Sequence, residues 1–371
     1  MSQAPRVLCF LLFTLSLGVF ALSGGSHSMA AAAEAKGSDY VVAKNHDEIV
    51  AKANKEGALR VLSSADAGTF NEMAKAFNKK YPNIEVYVEE IAGSDAYQRF
   101  LLELKGGMTG SWDVYSVSPQ FYNELAAYAF KFDIFRMAKE NVVAIPLQMV
   151  DPKKRNVVGE SSTVSSIAYN RKLLAPERVP NKWEDFLKPE LKDRKFIVDI
   201  RPYGFAALVP EMGEEWLQSY ARKIKEQNPV WLRGQSRALT AMAAGEYPLH
   251  QLTYYHSCIE AARKDPTDSL VCKIIEPVPV RLSATESILN TAAHPYAALL
   301  WLEFQASPVG QKIIDEKEPL KSSIFAPGSE LEKITAGKKL SVNAWDTFHL
   351  TPKWMQMTVE AFGFPKAEKK R

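Results

Sequence analysis

Ala244-Gly245-Glu246-Tyr247-Pro248-Leu249-His250-Gln251-Leu252-Thr253-Tyr254-Tyr255-His256 reads as the end of a helix, a turn, a short strand and a tyrosine pair. Before it, residues 236–244 carry Ala238, Leu239 and Met242 at helical spacing and stop at Gly245, whose tolerance of positive φ suits a helix C-terminus. A strand over 248–253 follows. Residues 257–264 then read as a helix, with Ser257 as its cap and Glu260 as the capping-box partner three residues on. Tyr254 and Tyr255 therefore stand at the carboxyl end of a strand, just before a helix N-terminus. Open α/β sheets bind their ligands at that position.

Working outward, the same arrangement recurs. Residues 59–63 form an apolar strand ending at Ser63, followed by the small, polar Ser64-Ala65-Asp66-Ala67-Gly68 and a helix over 69–81 that Pro82 ends. Residues 84–91 alternate as a second strand, so the opening is a βαβ unit with a right-handed crossover and parallel strands. A helix carrying Phe100, Leu101 and Leu104 precedes a third strand within 111–119, which ends in the hydroxyls of Ser116 and Ser118. Helical segments over 120–139 lead to the apolar 145–149 and a polar loop over 151–163; a strand over 164–169 leads out of it and closes at Asn170-Arg171-Lys172. Residues 180–191 make a short proline-bounded helix, and a strand over 196–200 ends in Arg201 and Tyr203. A helix over 214–228 and the short stretch 230–234, with Arg233, return to the opening stretch. Beyond it come strands over 273–277 and 280–288, a strongly apolar helix over 295–306, a helix over 351–362 and a basic tail over 366–371. No internal repeat appears.

The 371 residues, 46% hydrophobic and 24% charged, are enough for two domains, and a net charge of +3 gives no case for nucleic acid. Residues 1–30 read as a secretory signal: Arg6, an apolar run over 7–22 too short to span a membrane, then the small residues around Ala30-Ala31-Ala32-Ala33. Of the three cysteines, Cys9 lies inside that run. Cys258 and Cys272 flank one helix-to-strand connection; in an oxidising compartment they can pair, or remain two separately buried thiols.

Three stretches carry a family resemblance: Trp183-Glu184-Asp185-Phe186-Leu187-Lys188-Pro189, Ala243-Ala244-Gly245-Glu246-Tyr247-Pro248, and Pro295-Tyr296-Ala297-Ala298 through Gln305-Ala306-Ser307-Pro308-Val309-Gly310-Gln311. With Phe77-Asn78-Lys79-Lys80-Tyr81-Pro82-Asn83-Ile84-Glu85-Val86, they resemble in order and spacing the periplasmic solute-binding components of ABC importers, in the group that binds ferric ion, thiamine, polyamines and phosphonates. The resemblance implies a two-lobed α/β fold of the periplasmic-binding-protein type II, with a ligand cleft between lobes joined by crossing strands. Residues 40–160 and 280–325 are assigned to one lobe, and 161–279 and 326–371 to the other. It further implies a periplasmic, non-catalytic protein that hands a small molecule to an inner-membrane ABC permease; a monomer is expected.

Four strand ends gather polar groups: Ser63 with Ser64, Ser116 with Ser118, Arg201 with Tyr203, and Tyr254 with Tyr255. Strand ends facing helix N-termini favour anions, because free N–H groups and the helix dipole point at the ligand. Arg201 and Arg233 are the expected cations for a carboxylate or phosphate. An organic or phosphorylated anion is the favoured solute, with no resident cofactor. In the ferric binders that the chain resembles, paired tyrosines at this strand end bind the metal, so Fe(III) on Tyr254 and Tyr255 is the alternative; phenolate is a hard donor suited to it. The first two strand-end loops lack the histidine or glutamate that would complete such a shell, and offer only Asp66. His250 and His256 are read as hydrogen-bonded structural residues, and Trp183 and Trp231 as core. An enzyme or a sensor subunit on the same scaffold is the remaining alternative, although no G-x-S-x-G, H-E-x-x-H, phosphate loop or C-x-x-C occurs.

Mass spectrometry of the exported protein is expected to give an N-terminus near Ala31. A mature chain that retains residues 11–20 contradicts the signal reading.

Overall fold

Ten strands make up the sheet of the computed structural model, which describes residues 40–108 and 112–364. They are β1 (Ala58–Ser63), β2 (Glu85–Glu90), β3 (Val114–Ser116), β4 (Val157–Asn170), β5 (Ile197–Asp199), β6 (Val230–Leu232), β7 (Leu249–Tyr254), β8 (Leu270–Lys273), β9 (Val278–Ile288) and β10 (Leu340–Asn343). The signal segment and the basic tail lie outside the described residues. The order is β2-β1-β3-β9-β4-β7-β5-β6, with β10 also on β9 and β8 also on β4. β1 runs parallel to β2 and β3, as the βαβ reading requires, and β5 parallel to β6 and β7. This is the mixed α/β architecture expected from the alternation of strands and helices.

The long strands β4 and β9 pair antiparallel and join the two groups. Over Val157–Val164, β4 pairs with β9, and from Ser165 to Asn170 it pairs instead with β7 and β8. The polar loop expected over 151–163 is thereby corrected: Glu160-Ser161-Ser162-Thr163 is the buried middle of a strand. Its composition hid it, because neither face shows the apolar alternation by which half-buried strands are recognised. The ladder shifts register between Gly159 and Ser161, so Glu160 occupies a bulge, which re-aims its side chain.

Each group packs its own core. Phe77, Phe132, Trp301 and Phe304 centre one cluster, in which the rings of Trp301 and Phe304 meet Phe77 edge-on at 5.4 and 5.6 Å; Phe100, Tyr115, Trp345 and Phe348 form the adjoining one. On the other side Trp183, Phe186, Phe196, Phe205, Tyr220, Trp354 and Phe362 pack together. Trp183 is core, as expected, with its indole N–H donated to the Pro277 carbonyl at 3.1 Å. Trp345 and Phe348, which follow residue 326, pack in the cluster of Phe100 and Tyr115.

Local chemistry explains the element ends. The helix Gln235–Ala243 closes with Glu246 N–H donating to the Ala241 carbonyl and Gly245 N–H to that of Met242, at φ +84° for Gly245, a Schellman arrangement. The following helix starts at Tyr255, two residues before the expected cap at Ser257, with Tyr254 at the N-cap and no side-chain capping bond. The span expected as one short helix over 180–191 is two 3-10 segments, Trp183–Leu187 and Pro189–Leu191. At the Pro308–Lys317 helix, Ser307 accepts from Gly310 N–H, and a Cβ on Gly310 would stand 2.3 Å from the Phe304 carbonyl oxygen, a close approach only glycine allows.

Cys258 and Cys272 form a disulfide, which settles the two readings left open by their spacing. It ties the Tyr255–Lys264 helix to β8 across 14 residues of chain. Closing a loop of that length is worth about 3 kcal/mol through the unfolded state. Cys258→Ser with Cys272→Ser, or reduction of the wild type, is therefore expected to lower the denaturant midpoint by about 2–4 kcal/mol equivalent at unchanged secondary structure. Equal stability of oxidised and reduced protein contradicts this.

Candidate functional site

The carboxyl ends of β1 and β3, the middles of β4 and β9 and the end of β7 enclose a cavity of about 420 Å³. Ser63, Ser64, Ser116, Ser118, Glu160, Thr163, Tyr254, Arg281, Ser283 and Trp301 are among its walls. A second cavity of about 610 Å³ shares Gly93, Tyr97, Ser118, Pro119, Arg281 and Ser283 with the first and adds Tyr203 and Met355, so the two are parts of one cleft. Of the residues expected at the site, Ser63, Ser64, Ser116, Ser118, Tyr203 and Tyr254 converge there. Tyr255, Arg201 and Arg233 are not among the lining residues. Tyr255 is half-buried against the apolar cluster of Val164, Val278, Val280, Ile324 and Leu331. Arg201 is solvent-exposed and lies 3.5 Å from Asp199, and Arg233 is exposed. A strand end followed directly by a helix turns consecutive side chains in different directions, which is why adjacent tyrosines part company.

The cation of the cleft is Arg281, which the sequence reading passed over. Its guanidinium stands 5.2 Å from the Tyr203 ring centroid and 5.4 Å from that of Tyr254, a cation–π pairing on two rings. Nε has no hydrogen-bond partner, Nη1 makes only a 3.4 Å bond to the Leu282 carbonyl, and among the described residues no carboxylate pairs with it. The signal that could have found it is its place in β9, where it and Glu286 are the charged residues of a strand that otherwise reads as apolar and hydroxylic. Facing it, Ser161 and Ser283 share a hydrogen bond of 2.8 Å, and the helix Ser94–Lys105 begins at Gly93 without a side-chain cap.

His256 also lines the cavity. Its ring lies on that of Tyr254, 5.6 Å between centroids at 15°, and Nδ1 has no partner. Burial first, then the charges of Lys321 and Arg281, push its pKa down to about 4, so the ring is neutral at pH 7. His250, in contrast, is fully buried and accepts from Leu252 N–H at 3.2 Å, the structural role expected of it.

The N-terminus of the Ala67–Lys80 helix, expected to hold an anion from solution, is occupied by the chain itself. Asp66 stands at the N-cap with no side-chain bond. Instead Glu318 accepts from Thr69 Oγ1 at 2.8 Å and Asp66 N–H at 3.3 Å, and is paired with Lys321 at 2.7 Å. Burial raises the Glu318 pKa, but Lys321 and these donors outweigh it and the net shift is downward.

Beneath the cleft two more carboxyls are buried. Glu160 Oε2 accepts from Gln305 Nε2 at 2.7 Å, and neither oxygen of Glu286 has a hydrogen-bond partner. Burial and then the neighbouring Glu286 raise Glu160 well above the usual carboxylate range. Burial carries Glu286 up to about 7, with Ser63, Gln305 and Trp301 beside it drawing it back. Among the described residues no group of three or more His, Cys, Asp and Glu side chains could hold a metal ion, and no helix is long and apolar enough to cross a membrane.

Glu286 is raised in the folded state, so the native protein binds its proton more tightly than the unfolded chain. Its contribution becomes unfavourable as pH rises from the unfolded value of about 4.5 through about 7. Glu286→Gln is expected to stabilise the protein by about 1–3 kcal/mol at pH 8 and to leave it unchanged near pH 4. Melting curves across that range check it, and equal stabilisation at both ends contradicts it.

A model of the bacterial extracellular solute-binding proteins matches residues 120–351. No curated protein matches the chain by sequence. Among solved structures, it is similar to the Trichodesmium protein IdiA (FutA) in complex with iron and citrate, with a TM-score of 0.63 and 18% identity over 82% of this chain and 99% of that one. Iron-bound HitA from Pseudomonas aeruginosa gives 0.58 and 19% over 82% and 99%, and the open ferric iron-binding protein A of Mannheimia haemolytica 0.66 and 15% over 83% and 100%. At such identities the likeness establishes the type II periplasmic-binding-protein fold.

Proposed function

Because this chain belongs to the bacterial extracellular solute-binding proteins, we propose that its cleft captures a small organic or phosphorylated anion, held by Arg281. As a member of that family it is a periplasmic component of an ABC importer, taking a small-molecule ligand to the permease, and not an enzyme. The finer points are part of the proposal: export through cleavage of residues 1–30, a monomeric state, and two lobes closing on the solute about β4 and β9. We assign the lobes as 40–160 with 280–348, and 161–279 with 349–364.

The observation that carries the ligand class is charge. Lys321 is spent on Glu318, Glu160 and Glu286 are driven toward their neutral forms, and His256 is neutral, which leaves Arg281 as the cleft's uncompensated charge. A partly desolvated guanidinium without a carboxylate favours an anionic guest, to which it can offer two parallel N–H donors. The hydroxyls of Ser118, Ser161 and Ser283 and the uncapped helix start at Ser94 add neutral donors. The same charge weighs against a bare ferric ion. Tyr254 can offer one phenolate, Tyr255 is turned to an apolar cluster, and the cation over the Tyr254 ring would repel the metal. Iron together with a bridging anion is the second reading, favoured by the neighbour whose structure holds iron and citrate.

A thermal-shift screen of small anions is expected to find a ligand that stabilises the protein by ~2.7 kcal/mol at 100 times its Kd. Against that ligand Arg281→Ala should lose at least about tenfold in affinity, and Tyr254→Phe about 0.5–1.5 kcal/mol. Tyr255→Phe, Arg201→Ala and Arg233→Ala should bind as the wild type does. Undiminished binding by Arg281→Ala, or a coloured tyrosinate complex with Fe(III) that needs Tyr255, defeats the proposal.

A further inference from the structure

We infer that the solute is amphoteric: opposite its anion it carries an ammonium or similar cationic donor, which the carboxyl of Glu160, backed by Glu286, receives at the inner end of the cleft. This rests on the reading of Arg281 as the anion's partner. In the β4–β9 ladder Arg281 lies opposite Thr163, three residues along β4 from Glu160, so the two backbone positions are about 10 Å apart. Both side chains line the same cavity.

Glu160 is 4% exposed, and apart from the 2.7 Å bond from Gln305 to Oε2 no donor among the described residues reaches its carboxyl. Glu286 is fully buried, with no partner in good hydrogen-bond geometry, although Ser63, Gln305 and Trp301 stand beside its carboxyl. The other charged group nearby, Lys321, is held by Glu318. Independently, Gln305 Oε1 is an acceptor on a side chain only 4% exposed that lines this cavity and has no partner. Buried carboxyls and amide oxygens are ordinarily paired, because an unpaired one loses its water without compensation. Here the inner end of the cavity presents open acceptors on Glu160 and Gln305, and the unpartnered donor beside them among the described residues is the neutral Trp301 indole N–H, which carries no charge to meet an ionised carboxyl. A guest with a cationic N–H group completes that end, just as its anion completes Arg281.

Matched probes test this by calorimetry and thermal shift: phosphoethanolamine against ethyl phosphate, 4-aminobutyrate against butyrate, and 6-aminohexanoate against hexanoate. In at least one pair the amine-bearing member should bind about tenfold or more tightly, as a charge-assisted contact in a desolvated site allows. Glu160→Gln keeps the side chain's size and removes a buried acid; with the fold intact by circular dichroism, it should abolish that preference. The groups facing Glu160 are Glu286 on β9, Glu318 with Lys321 beyond the Pro308–Lys317 helix, and the Tyr97 hydroxyl. An incoming ammonium favours the ionised acid, so affinity for the amine-bearing probe should rise with pH, and that of its partner should not. Equal affinities within every pair, no stabilisation by any amine-bearing probe at millimolar concentration, or a preference that survives Glu160→Gln overturns the inference. Binding that persists in Arg281→Ala overturns instead the reading on which it rests.

Discussion

The antiparallel pairing of β4 with β9 is the constraint on which the site depends. These two strands run from one packed group to the other, β4 changing partners at Val164 and Ser165, and their middles carry the polar and charged side chains of the cleft floor. A buried strand ordinarily shows an apolar face to each layer that covers it. Here Glu160, Ser161 and Thr163 on β4, and Arg281, Ser283 and Thr285 on β9, line a cavity. The backbone ladder satisfies their amides and carbonyls, and the side chains are left for the guest.

The electrostatics follow from that placement. Desolvation acts on every ionisable group in the floor, and whether each stays charged depends on its partner. Glu318 has Lys321 and two donors and remains ionised, so it serves the chain as an internal cap of the Ala67–Lys80 helix. Glu160 and Glu286 have neutral neighbours and each other but no cation among the described residues, and both shift toward neutrality. Arg281 cannot shed its proton and rests on two aromatic faces, an arrangement that keeps a cation in place without cancelling its charge. The result is a cleft whose unpaired groups include the Arg281 cation, the acceptors of Glu160 and Gln305 and the Trp301 indole N–H.

Much of the fold could be read from the chain. The helices Pro295–Ala306 and Thr351–Phe362 begin and end where their apolar pattern does, and the first βαβ unit forms as its alternation requires. The site was legible at strand ends, where Ser63, Ser64, Ser116, Ser118, Tyr203 and Tyr254 meet. It was not legible in strand middles, because a segment such as Gly159 to Thr163 looks like a loop when its neighbours across the ladder are unknown. Arg201 and Arg233 had the right chemistry in the wrong place: both are exposed, and Asp199 already lies beside Arg201. The tyrosine pair misled for a geometric reason, since a helix starting at Tyr255 sends that ring to an apolar cluster while Tyr254 stays in the cleft.

What the cleft holds in its own compartment decides between an anion and a bare metal ion. Native mass spectrometry of the protein released gently from the periplasm reads the guest directly. The account predicts an added mass that fragments to a small organic or phosphorylated anion and disappears when the protein is denatured. A bare ferric ion, retained with no anion beside it, would contradict it.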